Sequence, residues 1–307
     1  MNPLGRSGLQ VSALSLGTMN FGADWHKVGA IDDKTASSLI DLAVERGINL
    51  IDTADIYGRG AAEEMLGRLL KKRRSRFLIA TKLLGRMKPD DASTGGLSAR
   101  WIKRALDGSL KRLKTDHVDL YMPHGWDFQV PLEETLAALD AAVKTGKVRV
   151  LGCSNFSGEQ LAAAGGRLAF DQVQYSLAAR FCENDLVPVA KRDGVGLLAW
   201  SPLAGGLLSG KYAAPGASGR RAAADAFPYV EPQRGAALVK VLQAVAALER
   251  STCAQAALGW IMGKPFVASA VLGARTPAQL AELLDSKPLS PRAAALLDRA
   301  SELCSPP

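Results

Sequence analysis

The sequence lacks most of the features that would announce a metal, a membrane or an oxidising compartment. Its four cysteines, Cys153, Cys182, Cys253 and Cys304, are scattered and form no C-x-x-C pair. Such usage fits free thiols in a reducing cytoplasm better than a disulfide framework. Histidine is scarce: His26, His117 and His124 have no metal-ligand spacing, and no metal site is expected. No apolar run approaches the roughly 20 residues that span a bilayer, and residues 1–6 lack the apolar core of a secretory signal. A membrane partner is therefore not expected. Low-complexity tracts are missing too, and no G-x-G-x-x-G opens a β–α unit, which disfavours a Rossmann-type dinucleotide site.

What the chain does have is apolar material for a closed core, at 48% hydrophobic residues over 307 positions. The formal net charge of +8 raises two readings, a nucleic-acid partner or a phosphate-rich ligand. The densest basic run, Lys71-Lys72-Arg73-Arg74-Ser75-Arg76, closes a predicted helix, where cations complement the helix dipole. No aromatic residue interleaves with it, so it reads as a solvated helix end and no nucleic-acid partner is expected.

Short β-branched runs alternate with amphipathic segments along the chain. Strands are predicted at 13–16, 50–52, 77–82, 118–123, 148–153, 173–175, 196–200 and 268–272. Helical patterns fall at 34–46, 63–72, 98–113, 132–144, 159–165 and 184–191, then over an Ala- and Leu-rich stretch at 235–262, and at 276–284. Eight such units in about 300 residues favour a single (β/α)8 TIM barrel over a doubly wound sheet. That barrel would occupy 1–307 as one domain, with an N-terminal β-hairpin around Gly5-Arg6-Ser7-Gly8.

Chemically interesting residues recur just past the strand ends, which in a barrel share one rim. Asp52, Lys82, His124, Ser154-Asn155, Trp200-Ser201 and Gly273-Ala274-Arg275 all fall there, and Tyr57 lies in the loop after Asp52. A tyrosine is a usable acid if a nearby ammonium lowers its pKa. A carboxylate would keep that ammonium charged, and a histidine can donate to a carbonyl oxygen as charge develops. Asp52, Tyr57, Lys82 and His124 together could thus protonate a carbonyl while hydride arrives at its carbon. Taken singly, Asp52 and Lys82 also fit a structural ion pair, and Tyr57 a loop anchor. Further on, Gly205 to Lys211 matches G-x-x-x-x-G-K, but Tyr212 follows where a Mg²⁺-binding hydroxyl would stand. A phosphate-cradling loop survives that test and an NTPase does not.

The segment Gly47-Ile48-Asn49-Leu50-Ile51-Asp52-Thr53-Ala54-Asp55-Ile56-Tyr57-Gly58 closely resembles the aldo-keto reductase signature. So do Thr81-Lys82, Arg112-Leu113 with Asp116 to Tyr121 and His124, Gly146 to Arg149, Gly152 to Phe156, and the segments 200–212 and 273–280. The resemblance runs in order from about Leu4 to Leu284. It implies an NADP(H)-dependent reductase of aldehydes or ketones, with Asp52, Tyr57, Lys82 and His124 as the catalytic tetrad and Tyr57 as proton donor. Asp52 would also border the cofactor, as would Gly17, Thr18 and Met19. Ser154, Asn155 and Gln172 would hold the nicotinamide carboxamide, with Trp200 stacked on the ring. Ser201, Pro202, Leu203, Gly205 and Lys211 would line the pyrophosphate. Gly273 would adjoin Arg275, which would grip the 2′-phosphate, and Gln279 and Glu282 would meet the adenosine end. Leu283 departs from the pattern, standing where many relatives carry asparagine.

Trp25, Tyr57, His124 and Trp126 would face a small-molecule carbonyl substrate, in a cytoplasmic monomer or weak homo-oligomer. The alternative is a catalytically weak NADP(H)-binding regulatory subunit of the same fold, against which the complete tetrad speaks.

Overall fold

The computed structural model describes residues 1–23, 29–213 and 227–302. Two short strands, β1 (Asn2–Pro3) and β2 (Gln10–Val11), pair antiparallel at the N-terminus. Eight parallel strands then close a barrel: β3 (Leu14–Gly17), β4 (Leu50–Asp52), β5 (Leu78–Leu83), β6 (Val118–Pro123), β7 (Val148–Ser154), β8 (Phe170–Gln174), β9 (Gly196–Trp200) and β10 (Val267–Leu272). Each pairs with its neighbour in sequence, and β10 closes onto β3 with Leu272 opposite Leu16.

Alternation along these strands divides the apolar side chains between two cores. Leu50, Ala80, Leu120, Met122, Phe170, Leu198 and Ala268 fill the interior, and Leu4 and Val11 of the hairpin close its lower end. Ile51, Ile79, Tyr121 and Leu151 point the other way and pack under the helical shell. The hairpin sits tight. A Cβ on Gly5, whose φ is +51°, would lie 2.4 Å from the Gly196 nitrogen and 2.5 Å from the Ala169 oxygen. Its neighbour Arg6 donates to the Leu168 carbonyl at 3.0 Å.

Local signals set the helices. Asp32 caps the helix Asp33–Glu45 and Ser98 caps Ala99–Leu113, each accepting from the third backbone N–H beyond it. The Ala- and Leu-rich stretch is two helices, Pro232–Leu248 and Cys253–Met262, not one. The break falls at Arg250, with φ +51°, and Thr252 and Gln255 restart the chain with a capping box. The sixth barrel strand also begins three residues before the predicted 173–175, because Asp171 and Gln172 interrupt its apolar run. Tyr175 lies beyond that strand and stacks on Trp260 at 5.3 Å. A final helix, Pro291–Glu302, has no counterpart among the predicted segments. No helix among the described residues is long and apolar enough to cross a membrane.

Candidate active site

The upper ends of the strands carry a connected polar network. Lys82 lies near the end of β5, two residues after the interior Ala80, so its side chain enters the barrel mouth. There Nζ donates to Asp52 Oδ2 at 2.7 Å, to the Thr53 carbonyl at 2.8 Å and to the Tyr57 hydroxyl oxygen at 3.2 Å. Those three acceptors use all the donors of an ammonium. Lys82 is fully buried, and burial alone would lower its pKa. The charges of Asp52 and Tyr57 and their hydrogen bonds outweigh that and raise it. The ammonium is therefore held charged in a place where an isolated cation would not be.

Asp52 is fixed in turn from both sides. Gln172 Nε2 donates to its Oδ1 at 2.7 Å, and Thr18 donates from its backbone N–H and its hydroxyl to the Asp52 carbonyl, both at 3.0 Å. Tyr57 follows on a short turn closed by Gly58 and Gly60, with φ +53° and +99°. A Cβ on Gly60 would strike the Arg112 side chain at 2.7 Å, so the turn tolerates glycine there and little else. The half-buried His124 directs its ring edge-on to the Tyr57 ring, with centroids 5.8 Å apart. Burial, followed by the charge of Lys82, pushes the His124 imidazole down to about 3. At neutral pH it is an uncharged donor, not an acid.

Beside this group stands an amide and indole set. Asn155, at φ +59°, donates to the His124 carbonyl at 3.0 Å and to Ser154 Oγ at 3.1 Å. Its Oδ1 accepts from Trp200 Nε1 at 2.8 Å, and Ser154 Oγ donates to the Gln172 carbonyl at 2.8 Å. Trp200 is also stacked on Phe227, with planes 10° apart. The residues expected to meet the nicotinamide end thus cluster within hydrogen-bond reach of the tetrad.

The glycine-rich segment continues from Trp200. Ser201 Oγ accepts from the Gly205 N–H at 3.2 Å, and Gly205 and Gly206 take φ of +64° and +91°. Pro202 is buried and Leu203 packs against the core, so this loop presents backbone more than side chain. A Cβ on Gly273 would meet nothing within 4 Å, leaving open space at the end of β10. Arg275 is exposed and heads the helix Pro277–Leu284, whose N-cap is Thr276. Among the described residues no carboxylate pairs with Arg275 or with Lys211. Arg275 at a helix N-terminus and Lys211 beside the glycine loop at Gly206 are each suited to phosphate.

Not every predicted residue takes a visible part. Trp25 and His26 lie outside the described residues. Trp126 is half-buried against Phe156, with ring centroids 5.1 Å apart. Gln279 turns its Oε1 back to the Arg275 N–H at 3.0 Å, and Glu282 is exposed while Leu283 is in the core. Gly17 abuts Val271 and Leu272, and Met19 is half-buried at the rim. The sequence reading missed the Thr53 carbonyl as a third acceptor for Lys82. A backbone atom leaves no residue-type signal.

A model of the aldo/keto reductase family matches residues 13–302. Over 305 residues the chain is 38% identical to "Uncharacterized oxidoreductase YrpG" of Bacillus subtilis (strain 168), covering 94% of this chain and 90% of that protein.

Proposed function

The chain belongs to the aldo/keto reductase family and is an oxidoreductase of that type; on that premise we propose that it reduces an aldehyde or ketone to an alcohol with NADPH, Tyr57 giving the proton. The observation that carries the reading is the triple donation of Lys82 to Asp52, Thr53 and Tyr57. With Lys82 bonded to the phenol oxygen, the ammonium favours release of the Tyr57 proton. The same ammonium stabilises the phenolate that remains once the proton has moved to the carbonyl oxygen. His124 is neutral, so it has no spare proton to give. Its ring N–H can orient the carbonyl and stabilise developing charge there. Asp52 and Gln172 keep the ammonium charged and in place. A dinucleotide held by the rim residues would supply the hydride for the carbonyl carbon, and solvent would restore the Tyr57 proton after the alcohol leaves.

Arg275 supports the choice of NADPH over NADH. Its guanidinium, which no carboxylate among the described residues pairs with, suits the 2′-phosphate that distinguishes the two, and Lys211 and the Gly205–Gly206 loop suit the pyrophosphate. A panel of aldehydes and ketones assayed with each cofactor tests the reading. NADPH is consumed with at least one carbonyl class, and Arg275→Ala weakens NADPH binding by about 10- to 100-fold with NADH nearly unchanged. Equal losses for both cofactors would assign Arg275 to the shape of the site. No turnover on any carbonyl, with NADPH still bound, would favour the regulatory-subunit alternative.

A further inference from the structure

Directly behind Lys82, on the outer side of the barrel wall, lies a second buried polar cluster that carbonyl reduction does not call upon. Thr81 points outward, opposite to Lys82, and donates to Glu63 Oε1 at 2.6 Å. Arg112, from the helix Ala99–Leu113, donates from Nε to Glu63 Oε2 at 2.7 Å. Glu63 is fully buried and both its oxygens are engaged. Beside it sits Asp55, also fully buried, two residues before Tyr57 and tied to β5 by its N–H, which donates to the Lys82 carbonyl at 3.1 Å.

The Asp55 carboxyl has no matching partner. Neither oxygen makes a well-formed hydrogen bond, although the Ile56 N–H lies toward it. The groups that face it are Glu63 from the helix Ala61–Leu69, Arg112, Lys82 from β5 and Tyr121 from β6. Arg112 is already bonded to Glu63, and Lys82 to Asp52. Two carboxyls thus share one guanidinium on this side of the wall. The Tyr121 hydroxyl, buried in the same enclosure, lacks a partner as well. A carboxylate at Asp55 would be buried against Glu63 without a cation of its own, a cost that a neutral carboxyl avoids.

We infer that Asp55 is a positioning residue held as a neutral acid, whose proton keeps the Tyr57 turn seated on the barrel wall, and that ionising it unseats Tyr57. Burial, reinforced by the charge of Glu63, pushes its carboxyl up to about 8, in keeping with that assignment. For an acid raised in the folded state, the unfolded chain ionises first as pH rises. Stability contributed by the bound proton is therefore lost progressively from about pH 4 until the folded pKa is passed, and levels off above it. The kinetic part of the inference rests on the carbonyl-reducing role of Tyr57; the stability part does not.

Asp55→Asn, neutral and of the same shape, is the test, with Asp55→Ser as a smaller neutral substitute. Unfolding is followed in denaturant from about pH 5 to about pH 9, where one proton shifts the equilibrium by up to about tenfold per pH unit. Both variants should gain stability relative to the wild type as pH rises to about 8, then hold a constant margin. Asp171, another buried acid pushed up to about 7, is present in all three proteins and cancels from the comparison. In carbonyl reduction, the alkaline fall of kcat/KM should move to higher pH in Asp55→Asn, leaving the limb set by Tyr57 itself. Parallel stability curves, or loss of stability in both variants at every pH, would overturn the proton. Diverging stability curves with an unmoved kinetic limb would overturn the positioning role. Failure of the carbonyl reading would instead appear as a wild type without turnover, whatever the stability curves do.

Discussion

At the scale of single residues, the site is a set of groups whose properties are fixed by their neighbours. That Asp52, Tyr57, Lys82 and His124 come together was legible because their positions after or near strand ends place them on one rim. The ion-pair reading of Asp52 and Lys82 and the catalytic reading turn out to be compatible: the pair exists at 2.7 Å, and it also presents Lys82 to Tyr57. What could not be read are the backbone partners. The Thr53 carbonyl and the N–H of Thr18 belong to no residue pattern, and Asp55 resembles any loop acid until its burial is seen. His124 gives a testable sign. Its folded pKa is depressed to about 3, so as pH falls below the ordinary histidine value the unfolded chain takes up a proton that the folded chain refuses. Stability should fall as the solution is acidified from about pH 6.5 toward pH 3, and His124→Gln should flatten that part of the curve. Equal acid sensitivity in the variant would mean that other groups govern it.

At the scale of elements, sequence served where periodicity was strong and failed where polar residues are buried. The helix Leu132–Lys144 falls on its predicted bounds, whereas β8 was shifted because Asp171 and Gln172 mask a strand whose first four residues are buried. The last helix escaped for a related reason: its buried face is small, chiefly Ala293 and Leu297, with polar residues around it. Its start was nonetheless marked, by Ser290 accepting from the Ala293 N–H and by Pro291 at the first turn. What holds this helix is polar as much as apolar. Asp298 accepts from Trp260 Nε1 at 2.8 Å and pairs with Lys264 at 2.7 Å, while Arg180 donates to the Asp298 carbonyl and to Ser301 Oγ, each at 2.8 Å. Asp298→Ala strands the indole N–H of the buried Trp260 and should cost about 1–3 kcal/mol in denaturant unfolding. The KM for the carbonyl should not move, since these contacts are on the shell and not at the mouth. A neutral stability change would mean that packing alone docks the helix.

The whole molecule divides its labour between two ends. Closure of the barrel brings residues as distant as Thr18, Asp52 and Gln172 into hydrogen-bond contact, and this convergence is what the regular alternation of strand and helix foretold. The opposite end is sealed by the hairpin, where Gly5 has no room for a side chain. Gly5→Ala adds a left-handed backbone strain of about 1–3 kcal/mol to a clash with backbone atoms. It should lower the unfolding free energy by at least that while kcat/KM of the folded fraction is unchanged. An altered KM would show that the two ends are mechanically coupled. The claim on which the account depends is that the upper rim passes a proton from Tyr57. The most direct measurement is the steady-state rate of NADPH consumption with the best carbonyl substrate, for the wild type and Tyr57→Phe, alongside cofactor binding followed by tryptophan fluorescence. The account predicts a fall of about 10² to 10⁴ in turnover with cofactor affinity little changed. Turnover of Tyr57→Phe close to that of the wild type, with chemistry limiting the rate, would contradict it.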